Sequence, residues 1–87
     1  MSPTNTTEMK VKIYAPFKTY FEGNATSVSG VNDTGPFDIL ARHKNFMSLL
    51  KAGNLVVKTS GSPDFEMTID RGVMHVKTNQ VTVFLDL

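Results

Sequence analysis

The side chains able to do acid–base or nucleophilic work in this sequence are few: His43, His75, Asp38, Asp70, Asp86 and a scatter of serines. A hydrolytic site needs a nucleophile, a base in reach of it and a group that orients the base. Asp38 and His43 could supply a base and its orienter. No Ser or Thr stands in a nucleophile-elbow setting, however, and the chain has no cysteine. A metal centre needs three or four converging ligands, and the two histidines are 32 residues apart with no His-x-His pair. There is no P-loop and no Gly-x-Gly-x-x-Gly. The spacing therefore supports no catalytic residues, no metal ligands and no cofactor-binding motif, and the expectation is of a protein that binds rather than turns over.

One stretch interleaves bases with aromatics: Lys10, Lys12, Tyr14, Phe17, Lys18 and Tyr20. Small β-proteins can hold single-stranded nucleic acid on such a face, stacking bases on rings while cations follow the phosphates. Carbohydrate is the other ligand that this alternative admits. Against it stands a net charge of +1, from nine basic and eight acidic residues spread along the chain. The competing reading has the lysines solvating an outer face while Phe17 and Phe21 pack inside.

The elements that must position these residues are short strands. Met9, Val11 and Ile13 alternate with Lys10, Lys12 and Tyr14, the period of a half-buried strand, and Ala15-Pro16 breaks it. Phe17 to Phe21 is β-prone, Glu22-Gly23-Asn24 reads as a turn, and Ala25 to Val31 as a further strand. Asn32-Asp33-Thr34-Gly35-Pro36 is a dense cluster of turn formers. Asn54 to Thr59 and Phe65 to Ile69 follow as strands. Val73 to Lys77 and Gln80 to Leu85 pair as a hairpin around Thr78-Asn79, since Asn tolerates positive φ in a two-residue loop. Val81, Val83 and Leu85 face one way; whether His75 points out or in is left open. About nine strands broken every 8–12 residues predict an all-β sandwich. One domain is expected over 9–87, behind a flexible polar arm at 1–8.

The middle of the chain, Gly35 to Gly53, has a different pattern. Phe37, Ile39 and Leu40 form one apolar run and Phe46, Met47, Leu49 and Leu50 another, with His43 in the polar stretch between. It reads as a shaped loop, with Lys44 to Leu50 able to hold a helical turn. No apolar run approaches the ~20 residues of a membrane span, and Met1 to Glu8 lacks the apolar centre of a signal peptide. The chain is therefore expected to be cytosolic, and the sequons at Asn5, Asn24 and Asn32 are read as chance.

Three blocks resemble the N-terminal β-sandwich domain of the epsilon subunit of F-type ATP synthases, called delta in mitochondria. The first is Val11-Lys12-Ile13-Tyr14-Ala15-Pro16 with Phe21-x-Gly23 and Val28. The second is Gly35, Phe37, Asp38, Ile39, Leu40, His43, Asn45, Leu50 and Gly53. The third is Ile69-Asp70-Arg71-Gly72-Val73-Met74-His75-Val76 with Asn79-x-Val81-Thr82-Val83. Together they cover Val11 to Leu87. Ala41-Arg42 stands where that family usually has Pro-Gly, Arg71 replaces the first of two glycines, and His75 sits where Glu is common.

The resemblance implies a β-sandwich of two antiparallel sheets and a structural rotor subunit of the central stalk, without catalysis of its own. The expected partners are the gamma subunit and the c-ring, with alpha and beta contacted indirectly, no nucleic acid and no insertion into the bilayer. The implied location is peripheral, on the cytoplasmic face of an energy-transducing membrane. By position, His43, Asn45, Phe46 and Ser48 correspond to the segment near gamma, and Asn32, Asp33, Thr34, Gly35 and Pro36 to the loop facing the c-ring. The family usually continues into a C-terminal helical hairpin. This sequence stops at the sandwich, with no such hairpin expected in it, and is read as a short family member.

Overall fold

The structure, a computed structural model, describes residues 8–41, 45–61 and 63–85. Nine strands run through them: β1 (Met9–Ala15), β2 (Lys18–Ala25), β3 (Ser27–Asn32), β4 (Gly35–Leu40), β5 (Phe46–Leu50), β6 (Gly53–Lys58), β7 (Phe65–Ile69), β8 (Gly72–Lys77) and β9 (Gln80–Leu85). They form a five-stranded sheet in the order β2-β1-β9-β8-β5 and a four-stranded sheet in the order β4-β3-β6-β7. The β-sandwich of about nine strands is the one that the spacing of the breaks predicts.

The core lies between the sheets and follows from period-2 alternation. Val11 and Ile13 of β1, Val81, Val83 and Leu85 of β9, and Met74 and Val76 of β8 meet Val28, Ile39, Leu55 and Val57 of the smaller sheet, all essentially inaccessible. Each such side chain stabilises the fold by roughly 1.5–3 kcal/mol relative to exposure. The β8–β9 hairpin forms as expected, with Asn79 at φ 54°. Gly72 enters β8 where the chain crosses between sheets, and a Cβ there would lie 2.8 Å from the Phe84 carbonyl oxygen. Only glycine fits so close to a neighbouring backbone.

The structure corrects several expectations. Glu22-Gly23-Asn24 makes no turn: β2 runs through it, paired with β1 from Met9↔Ala25 to Ala15↔Lys18. A long ladder, with Lys12 opposite Glu22, outweighs the local turn preference. Gly35 to Gly53 is not a single loop, because β4 and β5 occupy most of it. Gly35-Pro36 starts β4, an edge strand that tolerates proline's missing N–H. Lys44 to Leu50 holds no helical turn over its described residues, since Phe46–Leu50 pairs with β8. Phe17 lies fully exposed in the β1–β2 turn instead of packing inside, while Phe21 packs against the core. One pairing departs from the antiparallel pattern: β1 and β9 run parallel from Lys10↔Gln80 to Tyr14↔Phe84. With β2 on one edge of β1 and β8 on one edge of β9, the remaining edges of the first and last strands meet, and they point the same way.

The expected arm at 1–8 falls outside the described residues except for Glu8.

Candidate docking face

Side chains that face away from the core line up across each sheet in rows set by the register. On the four-stranded sheet the outer rows are mostly polar and satisfy one another, with Leu40, 58% exposed, the one large apolar side chain well exposed there among the described residues. Ser29 donates to Asp38 at 2.5 Å, the Asn54 amide donates to Glu66 at 3.0 Å, and Thr68 donates to Asn54 at 3.0 Å. That face suits water.

The five-stranded sheet differs. Leu49 of β5 lies opposite Val73 of β8, Val73 opposite Phe84 of β9, and Phe84 beside Tyr14 of β1. This apolar row crosses four strands on the outer face. Leu49 is 67% exposed, Met47 in the next row 65% and Phe84 38%. Tyr14 and Phe84 meet edge-on with ring centroids 5.2 Å apart. Exposed apolar side chains scattered singly mean little, but a contiguous row of them marks a surface that another molecule covers.

The β3–β4 turn borders this face. The Asn32 carboxamide oxygen accepts from the Thr34 N–H at 2.9 Å and from the Thr34 hydroxyl at 2.7 Å, an Asx turn that fixes the bend. Its amide nitrogen donates to Ser48 Oγ at 3.2 Å, tying the turn to β5. Asp33 pairs with Lys51 at 3.1 Å, a solvated contact of little energetic weight. Gly35 takes φ 112°, which favours glycine. A groove of about 640 Å³, bounded by Asp33, Leu49, Arg71 and Phe84, joins the turn to the apolar row. The two surfaces are continuous.

Of the residues assigned by position to a gamma contact, His43 lies outside the described residues. Asn45 is exposed and accepts the Thr78 N–H at 3.1 Å, steadying the β8–β9 hairpin. Phe46 is half-buried, its ring 6.1 Å from that of Phe37. Ser48 is held by Asn32. Phe46 and Ser48 therefore sit on the inner side of β5, and Met47 and Leu49 project outward. Positional matching did not name Met47, Leu49, Val73, Phe84 or Tyr14. The available signal was the nearly unbroken apolar run of β5, which is what a strand with both faces covered looks like.

The basic–aromatic cluster does not assemble as one surface. Lys12 and Tyr14 share the outer face, with Lys12 Nζ 5.1 Å from the Tyr14 ring centroid. Lys18 lies 4.9 Å over Tyr20, whose ring packs against the core. The catalytic candidates also remain apart. Asp38 is engaged by Ser29, Asp70 is exposed beyond the end of β7, and His75 is exposed opposite Met47 and Thr82. Asp86 lies outside the described residues. Among the described residues no three His, Asp or Glu converge as a metal site would require.

The fold is a two-sheet β-sandwich whose larger sheet carries an apolar row on its outer face. The family model described as the ATP synthase Delta/Epsilon chain, beta-sandwich domain, matches residues 8–86. The chain belongs to that family. It is 30% identical over 77 residues to the ATP synthase epsilon chain of Clostridium novyi, covering 88% of this chain and 59% of that one. It is 28% identical over 78 residues to the epsilon chain of Nitratiruptor, covering 90% and 60%. The chain thus spans a little under two thirds of the length of these relatives. Among solved structures, a chain of the Euglena gracilis mitochondrial ATP synthase (OSCP/F1/c-ring) shares the fold with TM-score 0.83 at 18% identity, over 91% of this chain and 51% of that one. A chain of the central stalk/c-ring structure of the Tetrahymena thermophila enzyme does so with TM-score 0.73 at 15% identity, over 88% and 62%.

Proposed function

We propose that this chain is a structural, non-catalytic part of the central stalk of an F-type ATP synthase. The apolar outer row of the five-stranded sheet docks on the gamma subunit, and the Asn32–Pro36 turn beside it approaches the c-ring, so that the sandwich helps couple ion-driven rotation to ATP synthesis. It works at the surface of the energy-transducing membrane without inserting into it. The observation that carries this reading is the contiguous outward-facing row Leu49–Val73–Phe84–Tyr14, with Leu49 and Phe84 exposed, Val73 and Tyr14 half-buried, and exposed Met47 beside it. Family membership supports the assignment of the partners. A close-packed sandwich suits the task, because it transmits force with little deformation and needs no titrating group.

The test is co-purification of the 87-residue chain with its own organism's gamma, alpha, beta and c subunits from solubilised membranes. Recovery with gamma, lost in a Met47→Asp/Leu49→Asp variant that melts where the unaltered chain does, is the expected result. Failure to recover gamma from membranes that hold an intact synthase would refute the reading.

A further inference from the structure

The docking face is graded as well as apolar. Beyond the row that ends in Tyr14, the next outward row runs Met47, His75, Thr82, Lys12, Glu22. The row after it contains Lys77, Gln80, Lys10 and Asn24. Three lysines thus converge from β1 and β8 on one side of this face, against two carboxylates, Glu22 in the nearer row and Glu8 beside Lys10 and Asn24 at its margin. Among the described residues none of the three lysines forms an ion pair, whereas Lys51 pairs with Asp33 at the opposite end. Lys10 and Lys12 border a groove of about 390 Å³ shared with Glu22, Asn24, Gln80 and Thr82. The outer face of the other sheet has no such excess: Lys58 stands there with Asp38 and Glu66.

Resting on the docking reading above, we infer that the partner seated on this face carries a cluster of carboxylates opposite Lys10, Lys12 and Lys77. The pleat sets the distance. Outward residues on one strand repeat every two positions, so the lysine rows lie roughly 7 and 13 Å from the apolar row. The partner's acidic side chains lie at that offset from its own apolar contacts. An apolar row alone fixes contact but leaves orientation weakly determined, whereas charge at one end allows a single seating. Complementary charge at an interface also raises the association rate and sets its salt dependence more than it deepens affinity.

The test measures binding kinetics of the immobilised chain to the purified gamma subunit of the same synthase at about 0.1 M and about 1 M NaCl, where the screening length falls from ~10 to ~3 Å. In Lys10→Glu/Lys77→Glu, affinity at the lower salt falls about tenfold, mostly through slower association, and the difference closes at the higher salt. Lys10→Gln/Lys77→Gln falls between, which guards against a folding defect in the reversed variant, and both keep the unaltered melting temperature. Equal affinities for all three chains at both salts would overturn the electrostatic proposal while leaving gamma docking in place. Absence of binding by the unaltered chain at either salt would overturn both. Tight binding of a thymidine oligonucleotide, lost in the same variants, would also overturn it by assigning the lysines to nucleic acid.

Discussion

Replacing Phe46 by Ala removes a half-buried ring that packs against Phe37 and the core. The loss is about 2 kcal/mol, below the range for a fully buried phenylalanine. For a domain of this size that lowers the melting temperature by roughly 8–16 °C. Its neighbour behaves differently. Met47→Ser touches a side chain already in water and shifts stability by no more than about 0.5 kcal/mol, yet it weakens gamma binding, as equilibrium titration will read. Equal destabilisation by the two substitutions would contradict the orientation of β5. Gly72→Ala tests the other kind of residue. Its new methyl meets a backbone carbonyl that cannot step aside, costing about 1–3 kcal/mol in a thermal melt.

At the scale of elements, the β3–β4 turn and β5 act as one unit because Asn32 holds both Thr34 and Ser48. Asn32→Ala breaks those bonds and destabilises by about 1–2 kcal/mol, with faster amide exchange at Thr34 as its signature. Exchange also ranks the strands: β1, β9, β8, β3 and β6 have partners on both edges and exchange slowest, ahead of β2, β5, β4 and β7. Much of this was legible in the sequence. The alternation of Met9, Val11 and Ile13, the Thr78-Asn79 turn and the Asn32–Pro36 cluster are local signals, and each marks a feature present in the fold. Glu22-Gly23-Asn24 and Phe46–Leu50 misled because their conformations are set by the strands they pair with, the preceding β1 for the first and the sequence-distant β8 for the second. The apolar row as a whole was not legible, although the apolar run of β5 signalled its first member. It exists only once the registers of four strands are fixed, and no spacing along the chain announces that Leu49 and Tyr14 share a line.

At the scale of the molecule, the first and last strands lie side by side and parallel, joined from Lys10↔Gln80 to Tyr14↔Phe84. A tension applied between the start of β1 and the end of β9 drags these strands past each other lengthwise. The evenly spaced bonds of a parallel ladder then share the load and must break nearly together. Pulling β8 and β9 apart from their open end, Gly72 and Leu85, would instead strip the bonds one after another towards the Lys77–Gln80 turn. Single-molecule stretching from the two termini is expected to give one high-force rupture, and attachment at positions 72 and 85 a much lower first yield. The sandwich is thus built like a clasp: stiff along the line between its first and last strands, and easily opened from the free end of a hairpin.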